Sequence, residues 1–364
     1  MRLPWILSVY IARHFLVSIL IALFGLAVLA VLIDVIELLR RASGRDTIPM
    51  SIILELTALK LPTLIQKFVP YAVLIGSMLA LTRLTRTHEL IVTRSAGVSV
   101  WQFLAPAMAV VMAFGVFMTI AFGPFASVLL LRHEQVEARY FSGRISLLSI
   151  SSSGLWLRQI EKDSEHIIYS PNVSPSDMSF HDVIIYTFDG HKKFAERLDV
   201  KRAVLEPGRL KLSNVTRSVP GKPPEFIDEQ DLPTTLTMGN IQESFASPET
   251  MSFWALPAFI EMLERAGFSA MKHRLYWQTL LASPFLLMGT VLVAAVFSLR
   301  LPRRGKIGIL IVAGMITGFL LNFFTRIINA FGESGSLPIW LAAWAPACIV
   351  IMLGAALLLH LEDG

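Results

Sequence analysis

Six long runs without a charged residue divide this 364-residue chain, and one polar insert interrupts them. The runs are Phe15–Ile33, Phe68–Thr82, Ser95–Leu131, Leu275–Leu299, Ile307–Thr325 and Ser334–Leu359. Five of them hold at least 19 residues, enough to cross a hydrocarbon layer of roughly 30 Å as helix. The second run has only 15, but it extends back through Leu61 if Lys67 is tolerated. Three spans, a polar domain and three more spans describe an α-helical integral membrane protein in two halves.

Composition agrees. Hydrophobic residues make up 54% and the mean hydropathy is +0.62, above the range of soluble domains. Most of the charge lies in residues 132–274, so the formal net charge of +5 is not the footprint of a nucleic-acid module, which needs a basic patch interleaved with aromatics. The single cysteine, Cys348, sits in the last apolar run and has no partner for an intrachain disulfide. The first run lacks a small-residue cleavage site before Phe15 and reads as a retained span.

Loop cations set the expected orientation. With the N-terminus in the cytoplasm, Arg2, Arg13, Arg83, Arg86, Arg94, Arg300, Arg303, Arg304 and Lys306 are inside. Arg40, Arg41, Arg45, Lys60, Lys67 and Arg326 are outside. Nine against six favours cytoplasmic termini and an extracytoplasmic insert, periplasmic in a Gram-negative inner membrane.

The expected domains are a first membrane half at 1–131, a β-domain at 132–256, an amphipathic connecting helix at 257–274 and a second half at 275–364. Gly154–Ile160, His166–Tyr169, Val183–Phe188, Leu198–Leu205, Leu210–Val215 and Thr235–Ile241 read as strands. Turns fall at Ser176-Asp177, Asp189-Gly190, Pro207-Gly208 and Pro220-Gly221. This spacing predicts an antiparallel sandwich or jellyroll. In the connecting helix Phe259, Met262, Leu263 and Ala266 share one face, with Gly267 as its stop.

Catalytic signatures are missing. There is no phosphate-binding G-x-x-x-x-G-K-[ST] loop, no H-E-x-x-H and no G-x-S-x-G. His133, His166, His181 and His191 lack metal-ligand spacing. Work on a substrate would therefore draw its energy from another subunit. The stretch Arg83–Ser99 between spans two and three contains a short helix with Glu89 exposed and Gly97 at its end. It suits docking into a partner's groove, or equally an interfacial turn whose arginines meet lipid phosphate.

The Glu-Leu-x-x-x-Arg-x-x-Gly pattern of residues 89–97, preceded by Pro70 and Gly76, resembles the LptF/LptG permease family. Gly154-Leu155-Trp156, Tyr276-Trp277 and Pro284 fit it, and the three-plus-three arrangement around a β-domain covers the whole chain. Asp34-x-x-Glu37-x-x-Arg40-Arg41 looks closer to the LptG branch than to the LptF branch. The resemblance implies a six-span permease with an inserted periplasmic β-jellyroll, paired with its sister permease. A dimer of the ATPase LptB would supply ATP and magnesium chemistry, with no cofactor in this chain. Lipopolysaccharide would leave the outer leaflet of the inner membrane through the jellyrolls to the single-span protein LptC. Residues 85–97 would be the coupling helix, with Glu89 as main ATPase contact and Leu90, Arg94 and Gly97 alongside.

Phosphates of the lipid then suggest a role for the outside cations, since arginine–phosphate pairs are charge-assisted and often bidentate. The candidate lipid-binding set is Asp34, Arg40, Arg41, Arg45, Lys60, Lys67, Arg132, Arg139, Arg144 and Arg326; each cation alone also reads as a solvated or snorkelling charge. Two positions depart from the family. Asp34 stands where LptG members often carry a lysine, and Thr63 stands where a basic residue is usual, with Lys60 and Lys67 a turn either side. An ionised Asp34 cannot bind phosphate and needs a cationic partner such as Lys60, Lys67 or Arg41. The sister subunit, a membrane-anchored scaffold and a lipid-modifying enzyme are the rival readings.

Overall fold

The computed structural model describes residues 5–43, 49–142, 148–151, 154–160, 164–174, 179–189, 193–206, 208–234, 247–265, 269–300 and 307–362. The chain forms two compact units. One comprises Met1–Val136, Pro248–Leu256 and Met271–Gly364; the other comprises Glu137–Ser247 and Pro257–Ala270.

The first unit is helical. Its elements are α1 (Trp5–Ala42), α2 (Met50–Arg86), α3 (Glu89–Ser95), α4 (Val100–Phe117), α5 (Gly123–Glu137), α7 (Met271–Arg300), α8 (Ile307–Glu333) and α9 (Ile339–Glu362); α6 (Leu256–Arg265) precedes α7 and from Pro257 onward belongs to the second unit. Six helical runs among the described residues are long and apolar enough to cross a membrane. The helices outrun the uncharged stretches: α2 takes in Glu55, Lys60 and Lys67, and α5 continues through Arg132 and Glu134. Charged residues with long unbranched side chains are good helix formers, and helix ends can carry them beyond the hydrocarbon.

Helix α1 buries a stripe at four-residue intervals, Ile11, Phe15, Ile19 and Leu23, continued by Ala30, Asp34 and Leu38. The stripe packs most extensively on α2. Glycine permits the closest approach, because a Cβ on Gly76 would lie 2.5 Å from the Ile19 Cα. The same device recurs where Gly115 of α4 meets Pro284 of α7, and where Gly354 of α9 meets Leu292 of α7. Lipid provides no hydrophobic drive between helices, so close packing through small residues carries the association. The outward faces of α1 and α8 are apolar, with Phe24, Ile33, Phe319 and Phe324 more than half exposed.

The second unit is one antiparallel sheet. Its strands are β1 (Leu148–Ser151), β2 (Gly154–Ile160), β3 (Ser164–Ser170), β4 (Asn172–Ser174), β5 (Ser179–Asp189), β6 (Phe194–Glu206), β7 (Arg209–Ser218) and β8 (Glu225–Pro233). They pair in the order β1-β2-β3-β5-β6-β7-β8, with β4 beside β5. Five of the expected strands lie inside β2, β3, β5, β6 and β7; Thr235–Ile241 lies outside the described residues. Strand β8 was not legible, because Glu225, Asp228, Glu229 and Asp231 hide its alternation. Those acids suit an edge strand, where charge discourages further pairing.

Among the described residues the hydrogen bonding runs through one continuous sheet. A line of interruption crosses it. Between β5 and β6 the pairing passes from His181↔Arg202 to Val183↔Val200, and between β6 and β7 from Val200↔Val215 to Arg202↔Ser213. Asp182 and Asn214, on this line, have φ of 53° and 54°, which Asp and Asn tolerate better than other L-residues. Each strand gains one residue there, so the buried face continues from Phe180 to Val183, from Val200 to Ala203 and from Leu212 to Val215. Without that extra residue the apolar side chains beyond the line would turn to the other face.

Cross-strand charges support the last strands. Arg209 joins Glu206 and Asp231 at 2.7 and 2.9 Å, and Lys211 meets Glu229 at 3.0 Å. The hydrogen bond that Arg209 donates to Glu206, and then the neighbouring acids, hold its guanidinium above its ordinary pKa; Glu229 does the same for Lys211.

Gly76→Ala is expected to cost about 1–3 kcal/mol of stability through overpacking against the Ile19 backbone. Gly25→Ala, with nothing within 4 Å of the added methyl, is expected to be neutral. Thermal unfolding of the two variants in the same detergent makes the comparison.

Candidate functional site

Two clusters of the predicted residues take shape, both in the helical unit. The first is the turn that carries α3. Thr87 ends α2 and His88 adopts φ 61°, so the chain reverses before Glu89 opens α3. The Glu89 carboxylate accepts from Thr87 Oγ1 at 2.8 Å and lies within electrostatic reach of the Tyr10 hydroxyl of α1. It also sits at the N-terminal end of the helix, where negative charge is favoured. Gly97 ends the element in the left-handed region at φ 83°, and Val98 N–H reaches back to the Thr93 carbonyl at 3.4 Å. That pairing is the Schellman stop that the glycine predicts. Ser99 then caps α4 reciprocally with Gln102, a capping box.

Leu90 does not sit at the surface of this turn. It is 4% exposed and belongs to the core formed by Ile11 and Phe15 of α1, Leu84 of α2 and Val100 and Phe103 of α4. It anchors α3 to the bundle, whereas Val92 is 65% exposed and faces outward. The Arg94 side chain lies outside the described residues.

The second cluster lies where the end of α1 meets the start of α2. Asp34 is 8% exposed, and its Oδ1 accepts from Lys60 Nζ at 2.5 Å. Asp34 falls on the buried stripe of α1, which aims it at α2. Its other oxygen, Oδ2, is buried without a hydrogen-bond partner. Arg40 forms a two-pronged pair with Glu37 at 2.8 and 2.9 Å, and Glu37 lies within electrostatic reach of Arg41 and Lys60. Asp34, Glu37, Arg40, Arg41 and Lys60 therefore form one alternating charge cluster.

The remaining cations are spread out. Lys67 pairs with Glu249 at 2.8 Å, Arg132 lies 3.7 Å from Glu55, and Arg326 Nε donates to Asn322 Oδ1 at 2.9 Å. Arg139 is exposed and belongs to the sheet unit. Arg45 and Arg144 lie outside the described residues.

Sequence reasoning missed the acids Glu55 and Glu249 and named Glu37 only as part of a motif. The Glu37–Arg40 spacing of three was a readable helical signal. The other two depend on helices brought together by folding. Their presence alters the chemistry of the cationic set, since an incoming anion must displace a carboxylate from Lys60, Lys67 or Arg40. Exposed pairs yield at a cost of about 0–1 kcal/mol, whereas the Asp34–Lys60 pair is sheltered and holds more firmly.

A profile of the family described as lipopolysaccharide export system permease LptF/LptG matches residues 9–360. The lipopolysaccharide export system permease protein LptG of Haemophilus influenzae is 26% identical over 354 residues, covering 94% of this chain and 95% of the relative. The protein of that name from Escherichia coli K12 is 24% identical over 364 residues, with 98% of each chain covered.

Removing Lys60 leaves a buried carboxylate without its counter-charge, whereas removing the Asp34 charge leaves an ammonium that still reaches solvent. Lys60→Met is therefore expected to cost about 2–3 kcal/mol, below the 3–5 of a fully buried pair, and Asp34→Asn less. The combined Asp34→Asn/Lys60→Met variant should recover part of the loss in a thermal double-mutant cycle.

Proposed function

This chain belongs to the LptF/LptG family of lipopolysaccharide export permeases, and we propose that it acts there as the LptG-type subunit of an ATP-driven lipid extractor. The family match over residues 9–360 carries this reading. Similarity to two LptG proteins across nearly their whole length favours this branch over the sister subunit.

In the proposed arrangement the six helical runs span the inner membrane with both termini in the cytoplasm. The sheet unit lies in the periplasm as the jellyroll-like conduit of the lipid. An LptF-like permease faces the apolar surfaces of α1 and α8, and the two chains enclose the lipid between them. A dimer of LptB-like ATPase binds ATP and magnesium and docks on residues 85–97. An LptC-like protein receives the lipid on the periplasmic side.

The geometry supports a route for the force. Residue Leu90 ties α3 to α1, α2 and α4 through a common core. The Glu89 carboxylate also lies within electrostatic reach of Tyr10 of α1. A push on α3 therefore reaches the first span directly. At the other end of that span lies the alternating charge cluster, where Arg40 and Arg41 are exposed and suited to the lipid's phosphates. Movement of α1 against α2 would change the spacing of those cations, loosening their hold on phosphate and releasing the lipid upward.

Photocrosslinking from position 41 to lipopolysaccharide, in membranes carrying the partner subunits, tests the placement of the lipid. A crosslink that falls on ATP addition is expected. Its absence at 41 and at neighbouring rim positions, with the complex intact, would count for a scaffold. Glu89→Ala is expected to weaken copurification of the ATPase at least about tenfold, equal to about 1.4 kcal/mol, with the thermal stability of the permease nearly unchanged. Undiminished copurification and transport would remove Glu89 from the coupling role.

A further inference from the structure

Three helices of the membrane unit lose their regular hydrogen bonding around one cavity of about 220 Å³. On α2, Pro70 lacks an N–H and deprives the Gln66 carbonyl of its helical donor. On α7, Pro284 does the same to the Leu280 carbonyl. Between α4 and α5 the third span passes through a π-helical turn at Met118–Phe122. Gln66, Leu280 and Met118 all line the cavity.

Side chains repair part of this damage. Ser283 Oγ donates to the Leu280 carbonyl at 2.9 Å, and Thr119 Oγ1 lies 3.2 Å from Ser283 Oγ. Because the Ser283 proton is engaged, Thr119 is the donor of that second bond. Gln66 Nε2 donates to the Met118 carbonyl at 3.3 Å. Thr63, 7% exposed and on the cavity wall, has a buried Oγ1 with no hydrogen-bond partner. A hydroxyl in such a place costs about 1–3 kcal/mol if left unsatisfied.

A short strap, residues 248–256, lies over these elements within the same unit. It is attached to each of the three broken helices. Glu249 pairs with Lys67 of α2 at the cavity, Trp254 Nε1 donates to the Ile120 carbonyl of the π-turn at 3.2 Å, and Phe253 stacks on Trp277 of α7 at 6.2 Å. Both members of the Lys67–Glu249 pair are about half exposed, so the closure separates at little cost.

We propose that this cavity is a binding site for an ordered water cluster, and that the hydrated cluster is the joint about which spans two, three and four flex beneath the strap. The cavity meets the requirements for ordered water, with volume for several molecules and polar partners on different walls. Water there satisfies the Thr63 hydroxyl, which the protein leaves unpaired, and offers a donor to the Gln66 carbonyl in place of the N–H that Pro70 lacks. Mobile hydrogen-bond partners also let the three helices change angle without stranding a backbone group, which rigid side-chain bonds do not allow. The flexing role rests on the transport reading above; the water site does not.

The test starts from Cys348→Ala, which removes the only native cysteine, and adds Thr63→Cys. A small hydrophilic methanethiosulfonate is expected to label Cys at 63 at least about tenfold faster than Cys placed at the fully buried Leu74, whose labelling requires local opening of the bundle. Ser283→Cys serves as a second probe if the first variant misfolds. Equal, slow labelling at 63 and 74 in folded protein overturns the water site. For the joint, Ile120→Cys/Trp254→Cys, a strap attachment outside the lipid-binding set, is bridged in the same cysteine-free background with a short bis-methanethiosulfonate in the complete complex. Lipid transfer is expected to fall at least about tenfold and to return on reduction. Unchanged transfer in the bridged complex overturns the flexing role, whereas an unbridged complex that never transfers lipid points to failure of the transport reading itself.

Discussion

In hydrocarbon a backbone N–H or C=O has only the protein to bond with, and leaving one unpaired costs several kcal/mol. The rest of this structure follows from that constraint. It forces the apolar runs into helices, and it makes each break in a helix a local problem needing its own solution. Pro284 is answered by the Ser283 hydroxyl, and Gln66 reaches across to Met118 in the π-turn. Ser283, Thr119 and Gln66 are the polar span residues that make these repairs. Their clustering around one cavity concentrates the irregular backbone at a single level of three neighbouring helices, a natural place for a membrane protein to bend.

Regular packing dominates elsewhere. The four-residue stripe of α1 seats against α2 because Gly76 lets the two backbones nearly touch at Ile19. The same stripe delivers Asp34 to Lys60 and Leu38 to the core. One helix face thus positions an aliphatic seam and a charge pair together. The acid at position 34 is accommodated by Lys60, one helix away. With Lys60 so engaged, the proposed function leaves attraction for phosphate to the more exposed Arg40 and Arg41 beyond it.

The sheet unit solves a different problem. Its edge strand β8 is protected by acids, and its neighbour β7 supplies Arg209 and Lys211 to balance them. The aligned interruption at Asp182, Lys201 and Asn214 keeps one face apolar on both sides of the line. Left-handed backbone at Asp182 and Asn214 makes this feasible without glycine.

The chain's sequence by itself determined the six spans, most strands, the stop at Gly97 and the family. Each depends on local signals: length of apolar runs, alternation, turn residues and a short motif. It did not determine which cations are free, because Glu249 and Glu55 are remote in sequence from Lys67 and Arg132. Leu90 is placed beside Glu89 by the resemblance, and the apolar pattern of a seven-residue helix does not say which neighbour covers it. Only the tertiary structure turned Leu90 inward, paired Asp34 with Lys60, kept β8 in the sheet despite its acids, and gathered Pro70, Pro284 and the π-turn around one cavity. Pairing and burial of this kind depend on distances between separate elements, and those distances are set when helices pack, not by the residues adjacent in the chain.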